Sequence, residues 1–250
     1  IPVHPREGID LEALANSLEQ LPIKACWLMS HLQNPLGASM SEAKKRDLYT
    51  LLEQHQLPLI EDDVYAELYF GSQPPKPVKS FDRAGLVMHC GSFSKCLAPG
   101  YRVGWVAGGR YAEQIRRLKL MTTISPSVPA QAAIAEYLQH GGYDRHLRSL
   151  RHALESQQAS MLASAARHFP ADTRVTRPAG GYFLWFEFAP QVDSLLLFQQ
   201  ALAQGISLAP GPIFSATRGF GHCARLNYGH PWDAASEAAM AVLGRLLAAF

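Results

Sequence analysis

The stretch LVMHCGSFSKCLAPGYRVGW, residues 86–105, joins a three-residue apolar run to a glycine, two serines, a lysine and, seven positions past that lysine, an arginine. The run 86–88 follows Gly85 and is too short for a helix, so it reads as a buried strand ending in a polar loop. Two upstream runs have the same form, residues 26–29 and Leu59-Ile60 after Pro58. Helical spacings alternate with them. Asp10 can cap a helix carrying Leu11, Leu14, Ala15 and Leu18, and Ser41 one carrying Leu48, Leu51, Leu52 and His55. Helix, strand, helix, strand in that order predicts an α/β layer built on a parallel sheet with right-handed crossovers. Ligands of such sheets gather outside the carboxyl ends of the strands. The three predicted strands then deliver Asn34 (in HLQNPLG), the acids of EDDVY and the lysine of GSFSK to one rim.

The rest of the chain fits a second, smaller lobe. Apolar positions Leu147, Leu150, Leu154, Met161 and Ala165 predict one long helix over about 143–169, which at ~1.5 Å per residue spans nearly 40 Å and can bridge two lobes. Beyond it, residues 182–188 read as a strand, 193–203 as a helix, and Ser207-Leu208 and 225–228 as short strands. A final helix carries Ala239, Val242, Leu243, Leu246 and Phe250. The proline-rich segment 72–79, SQPPKPVK, reads as a surface loop.

Composition narrows the function classes. The 250 residues are 48% apolar and 18% charged, with a formal net charge of +2, and their basic residues are scattered. A packed core is therefore expected, and charge gives no case for a nucleic-acid or membrane surface. Four cysteines without a CxxC pair, and no HExxH or Cys/His cluster, predict neither a disulfide framework nor a metal site, and favour a reducing cytoplasm. No signal peptide or membrane span is legible, and the absence of an initiator methionine leads us to expect a segment of a longer protein.

A lysine that works as a nucleophile needs partial desolvation or a neighbouring cation, after which it condenses with carbonyls. Lys95 is expected at the buried end of its strand with Arg102 close in sequence; the alternative is an ordinary surface lysine. Ser92, Ser94 and Arg102 combine hydroxyl donors with a planar bidentate cation, the donor set a phosphate needs. One carboxylate of Asp62 and Asp63 can pair with a protonated pyridine nitrogen, and Tyr65 can offer its phenol to a ring hydroxyl. Alternatively, the acids form a solvated loop or metal site and the tyrosine belongs to the core. Ser92 to Lys95 also fits the S-x-x-K of serine β-lactamases, but no SDN, KTG or KSG accompanies it.

The ordered set N-P-x-G (34–37), D-x-x-Y (62–65), S-x-S-K-x-x-x-P-G-x-R-x-G-W (92–105) and A-R-L-N (224–227) resembles the class I aminotransferases of fold type I, which use pyridoxal 5'-phosphate (PLP). IEDDVYAELYFG and HCGSFSKCLAPGYRVGWVAGG are similar to the C-terminal aminotransferase-like domain of GntR-type transcriptional regulators of the MocR subfamily. The resemblance implies an α/β fold: part of the PLP-binding large domain over 1–142, then an interdomain helix and a small α+β domain over 143–250. It implies that Lys95 carries PLP covalently and is the catalytic residue, and that Asp62 keeps the pyridine nitrogen protonated. Asn34 and Tyr65 would bond the ring hydroxyl oxygen, and Ser92, Ser94 and Arg102 the phosphate. Arg225, with Asn34, would bind an amino-acid substrate, the arginine clamping its α-carboxylate.

The family's glycine-containing phosphate loop, its ring-stacking aromatic and the winged DNA-binding helix are expected before Ile1. The partners this implies are an amino acid or amine, a second copy in a homodimer, and DNA only through a domain outside this chain, with no membrane. The expected function is effector sensing in a regulator, the alternative a free-standing aminotransferase. The isolated chain is not expected to be catalytically competent.

Overall fold

The structure is a computed structural model that describes residues 1–250. The chain forms two compact units, one of residues 1–34 and 38–150, the other of residues 35–37 and 151–250.

The first unit opens with a two-residue hairpin, β1 (Val3–His4) against β2 (Gly8–Ile9), and α1 (Leu11–Gln20). Then follow β3 (Cys26–Leu28), α2 (Glu42–Gln54), β4 (Leu59–Asp62), β5 (Val87–Ser92) and β6 (Gly104–Ala107). They form one sheet in the order β3-β4-β5-β6, in which β3, β4 and β5 are parallel and β6 is antiparallel. Both expected caps are made: Asp10 accepts the Ala13 N–H at 3.0 Å and Ser41 the Lys44 N–H at 3.2 Å. Leu14 of α1 and Leu48 and Leu52 of α2 bury against Cys26, Leu59 and Val87 of the strands, forming the core that fixes the sheet's back face. Each fully buried leucine contributes roughly 2 kcal/mol of transfer free energy.

Strand β5 runs to Ser92, four residues past the apolar run that announced it, because its later positions are only half-buried and carry polar side chains. The antiparallel β6 has no apolar alternation to give it away, since all four of its residues are exposed. The same holds for α3 (Ala112–Thr123), which buries no residue, while α4 (Val128–Gln139) buries only Ala130 and Ile134. The helix α5 (Gly142–His168) forms over the predicted span, and the division between the units falls inside it.

The second unit is an antiparallel sheet ordered β7-β8-β10-β9, from β7 (Arg174–Val175), β8 (Phe183–Glu187), β9 (Ala209–Pro210) and β10 (Cys223–Asn227), with α6 (Ser194–Leu202) and α7 (Ala234–Leu247). The short strand expected at Ser207-Leu208 lies instead at Ala209–Pro210, where its register is set by Arg225 and Ala224 of β10. Gly211 follows it. A Cβ there would lie 2.1 Å from the Phe220 carbonyl oxygen, so the close backbone approach excludes any larger residue. No helix is long and apolar enough to cross a membrane.

Candidate cofactor site

The parallel order of β3, β4 and β5 puts their carboxyl ends on one edge, so the segments bearing Asn34, Asp62 and Lys95 leave the sheet side by side. Asn34 is half-buried with its backbone pinned: its N–H donates to Met29 Sδ at 3.5 Å and its carbonyl accepts Gln33 Nε2 at 2.7 Å.

Asp62 closes β4. Burial pushes its carboxyl above the ordinary carboxylate range; the Val64 N–H opposes this, the Asp63 charge reinforces it, and the Lys95 charge and a Trp27 hydrogen bond oppose it. Its Oδ1 atom is buried without a hydrogen-bond partner. A carboxylate oxygen in that condition needs a donor, and a protonated pyridine N–H is a charged donor of the required kind. On this test the residues fit PLP. Tyr65 is buried, 5% exposed, and the Lys95 ammonium lies 5.9 Å from its ring centroid.

The expected desolvation of Lys95 is not found. Strand β5 ends three residues before it, and Lys95 sits exposed on the following turn. The turn itself is fixed. Leu97 and Ala98 N–H groups both donate to the Phe93 carbonyl at 2.9 Å, and Cys96, 2% exposed, accepts at its carbonyl a bond from His146 Nε2 at 2.8 Å.

Ser92 Oγ accepts the Ser94 N–H at 3.4 Å, and Arg102 Nη1 donates to Ser94 Oγ at 3.3 Å and to the Pro99 carbonyl at 3.4 Å. The three phosphate-type donors thus form one string. Arg102 has φ +52°, a left-handed conformation costing a non-glycine residue roughly 1–2 kcal/mol. Arg225 lies on β10 of the second unit, half-buried, its guanidinium 5.2 Å from the Phe183 ring centroid and 5.0 Å from that of Phe214. Two aromatic faces orient the planar fork.

Sequence reasoning missed the groups on the other face of β4. Alternation sends Glu61 and Asp63 opposite to Asp62, and both are buried. Glu61 accepts Ser30 Oγ at 2.5 Å and the N–H groups of Val78 and Lys79 at 2.7 and 3.0 Å. The predicted surface loop 72–79 is thus exposed at Ser72, Gln73, Pro74 and Lys76 but anchored at its end, with Val78 fully buried. Asp63 lies between His31 and His89, and His31 meets the buried Lys45. The E-D-D run at the end of a buried strand was the available signal, since alternation there turns Glu61 and Asp62 to opposite faces.

The fold agrees with the comparisons. The profile of aminotransferase class I and II matches residues 1–242, and the chain belongs to that family. Pyridoxal 5'-phosphate is the family's cofactor. The HTH-type transcriptional regulator YdcR of Escherichia coli is 46% identical over 242 residues, 97% of this chain and 52% of its own length. The chain therefore spans about half the length of the curated relatives it matches. Among solved structures, Pyrococcus horikoshii kynurenine aminotransferase superposes with a TM-score of 0.92 at 28% identity, over 100% of this chain and 63% of its own. LysN, the α-aminoadipate aminotransferase of Thermus thermophilus, in complex with N-(5'-phosphopyridoxyl)-L-leucine, gives 0.92 at 30%, over 100% and 64%.

Proposed function

We propose that this chain is the PLP-binding effector domain of a GntR/MocR-type transcriptional regulator, sensing an amino acid or amine. The observation that carries the cofactor assignment is the buried, donor-less Oδ1 of Asp62 at the same sheet edge as Lys95. The regulatory assignment is supported by the identity to YdcR over nearly the whole chain.

Bound PLP supplies an aldehyde for covalent capture of a primary amine and an electron-withdrawing ring. Lys95 Nζ would be the amine that holds the cofactor covalently. The Asp62 carboxylate keeps the proton on the ring nitrogen, and Tyr65 and Asn34 donate to the ring hydroxyl oxygen. Ser92, Ser94 and Arg102 bind the phosphate. Arg225 pairs in bidentate fashion with an α-carboxylate, which selects amino acids over simple amines. Residues 1–142 act as the later part of the large domain and 143–250 as interdomain helix and small domain. The protein works as a cytoplasmic homodimer and meets DNA through a separate domain.

A free-standing aminotransferase is the second reading, supported by the likeness to LysN and the kynurenine enzyme. In it Lys95 Nζ would also serve as the general base and acid that holds the transferred proton.

Borohydride reduction of the PLP-loaded full-length protein, followed by peptide mass mapping, tests the site. The phosphopyridoxyl mass should fall on the peptide containing Lys95, and Lys95→Ala should lose both the adduct and the visible band. A band unchanged in Lys95→Ala refutes the assignment. Turnover of amino acids to keto acids at ordinary enzymatic rates, without effect on DNA binding, would favour the second reading.

A further inference from the structure

Behind the candidate cofactor residues, on the opposite face of β4, lies a chain of buried ionisable groups that the proposed function does not use. Lys45 of α2 and His31, after β3, are each 1% exposed, and Asp63 is 6% exposed. Lys45 Nζ contacts His31 Nε2 and donates to the Lys76 carbonyl at 2.9 Å. His31 Nδ1 meets Asp63 Oδ1 at 2.7 Å, and His89 Nε2, on β5, meets Asp63 Oδ2 at 2.9 Å. The His89 ring in turn packs edge-on against Trp105 of β6, with centroids 5.1 Å apart.

Donor counting orders the protons. A charged Lys45 has only donors, so His31 accepts at Nε2 and must donate from Nδ1; the Asp63 carboxylate has only acceptors, so His89 must donate from Nε2. Burial would raise the Asp63 carboxyl, but the two histidines hold it at about 2. Each strand of the sheet contributes one member, from His31 after β3 to Trp105 on β6. Three of the four lie beside or three residues before a candidate cofactor residue: His31 before Asn34, Asp63 beside Asp62, and His89 before Ser92.

We propose that Asp63, clamped by His31 and His89 and backed by Lys45, is the positioning residue of the cofactor site. It locks the carboxyl ends of the strands in register and adds a fixed negative charge behind Asp62. The inference rests on the assignment of Asp62 and Lys95 to PLP. The titratable groups around Asp63 are His31 after β3, His89 on β5, Lys45 of α2, and its chain neighbours Glu61 and Asp62. The Asp63 charge acts on Asp62 and raises that carboxyl, while the Lys95 charge acts in the opposite sense. Burial of this kind is costly for each ion, which weighs against a purely stabilising role for the cluster.

The test uses the PLP-loaded full-length protein and the pH midpoint of its visible cofactor band, together with PLP affinity and the melting temperature of the cofactor-free form. Asp63→Asn should lower the midpoint by about half a pH unit or more, as loss of a nearby unit charge at intermediate dielectric requires. It should also weaken PLP by about tenfold, the order of one charged hydrogen bond. His89→Gln, which keeps an N–H donor, should stay close to wild type in affinity and midpoint, whereas His89→Leu should reproduce the loss. If Asp63→Asn does not fold, the His89 pair decides alone. Changes in melting temperature with midpoint and affinity untouched would overturn the proposal, as would equal behaviour of His89→Gln and His89→Leu. Retention of the band in Lys95→Ala would instead overturn the underlying site assignment.

Discussion

Asp62→Asn should stabilise the cofactor-free protein while weakening its hold on PLP. The Oδ1 atom is buried with no donor, and leaving such an acceptor unsatisfied costs about 1–3 kcal/mol. Burial also raises the carboxyl above its ordinary value of 3.8. A carboxyl whose folded pKa exceeds the unfolded one gives stability below the unfolded pKa and loses it as pH rises through the folded one, so at neutral pH the ionised Asp62 opposes folding. Asparagine keeps the shape and an acceptor for the Val64 N–H but carries no charge. Loss of the Lys95 attraction and the Trp27 bond subtracts from the gain, leaving about 1 kcal/mol of net stabilisation. With PLP bound the sign reverses. Replacing an ionic hydrogen bond to the ring nitrogen by a neutral one forfeits about 1.5–3 kcal/mol, roughly 10- to 150-fold in Kd. Urea denaturation of the cofactor-free protein at pH 7 and pH 3 measures the first effect, and visible-absorption titration with PLP the second. The stability difference should shrink at pH 3, where both states of the wild type gain the proton. A variant that is less stable without cofactor and binds PLP as tightly as wild type would refute the reasoning.

Arg225→Ala should weaken binding of amino-acid carboxylates by about 10- to 100-fold while leaving PLP affinity within twofold, since a charged bidentate pair contributes about 1.5–3 kcal/mol; calorimetry on the PLP-loaded protein checks it, and equal loss of both ligands would assign Arg225 a structural role. Burial, opposed by the charges of Glu61, Asp63 and Glu42, lowers Lys45 from 10.5 to about 8, so its charged form opposes folding below pH 8 and the penalty fades as pH rises toward 10.5. The stability difference between wild type and Lys45→Met should therefore move in favour of wild type across that window, by up to ~3 kcal/mol, and a flat difference in urea denaturation would contradict it. Gly244→Ala places a Cβ 2.2 Å from the His168 carbonyl oxygen, forcing α7 off the end of α5; a loss of about 2–3 kcal/mol is expected in the same assay.

Much of the first unit was legible from local chemistry. Asp10 and Ser41 cap the helices they announced, and short apolar runs bounded by Gly85 or Pro58 became parallel strands, because buried strands and capped helices leave marks within a few residues. Strand β6 and helix α3 left none, since with every residue exposed neither has an apolar face to repeat.

The site divides along the same line. Sequence alone determined which residues are candidates: spacing put an amine, hydroxyls and guanidinium within a dozen residues, and strand order put Asn34, Asp62 and Lys95 on one rim. Only the tertiary structure decided their states, because burial and partner distance are properties of neighbours far apart in the chain. It left Lys95 exposed where a buried strand end was expected, and it buried Glu61 and Asp63 where a solvated acidic loop was an open alternative. It also brought His31 and His89, 58 positions apart, onto the Asp63 carboxylate, with Lys45 behind His31. No local pattern in the sequence records that meeting, since each of the three looks like an ordinary surface polar residue until the sheet and α2 close over it.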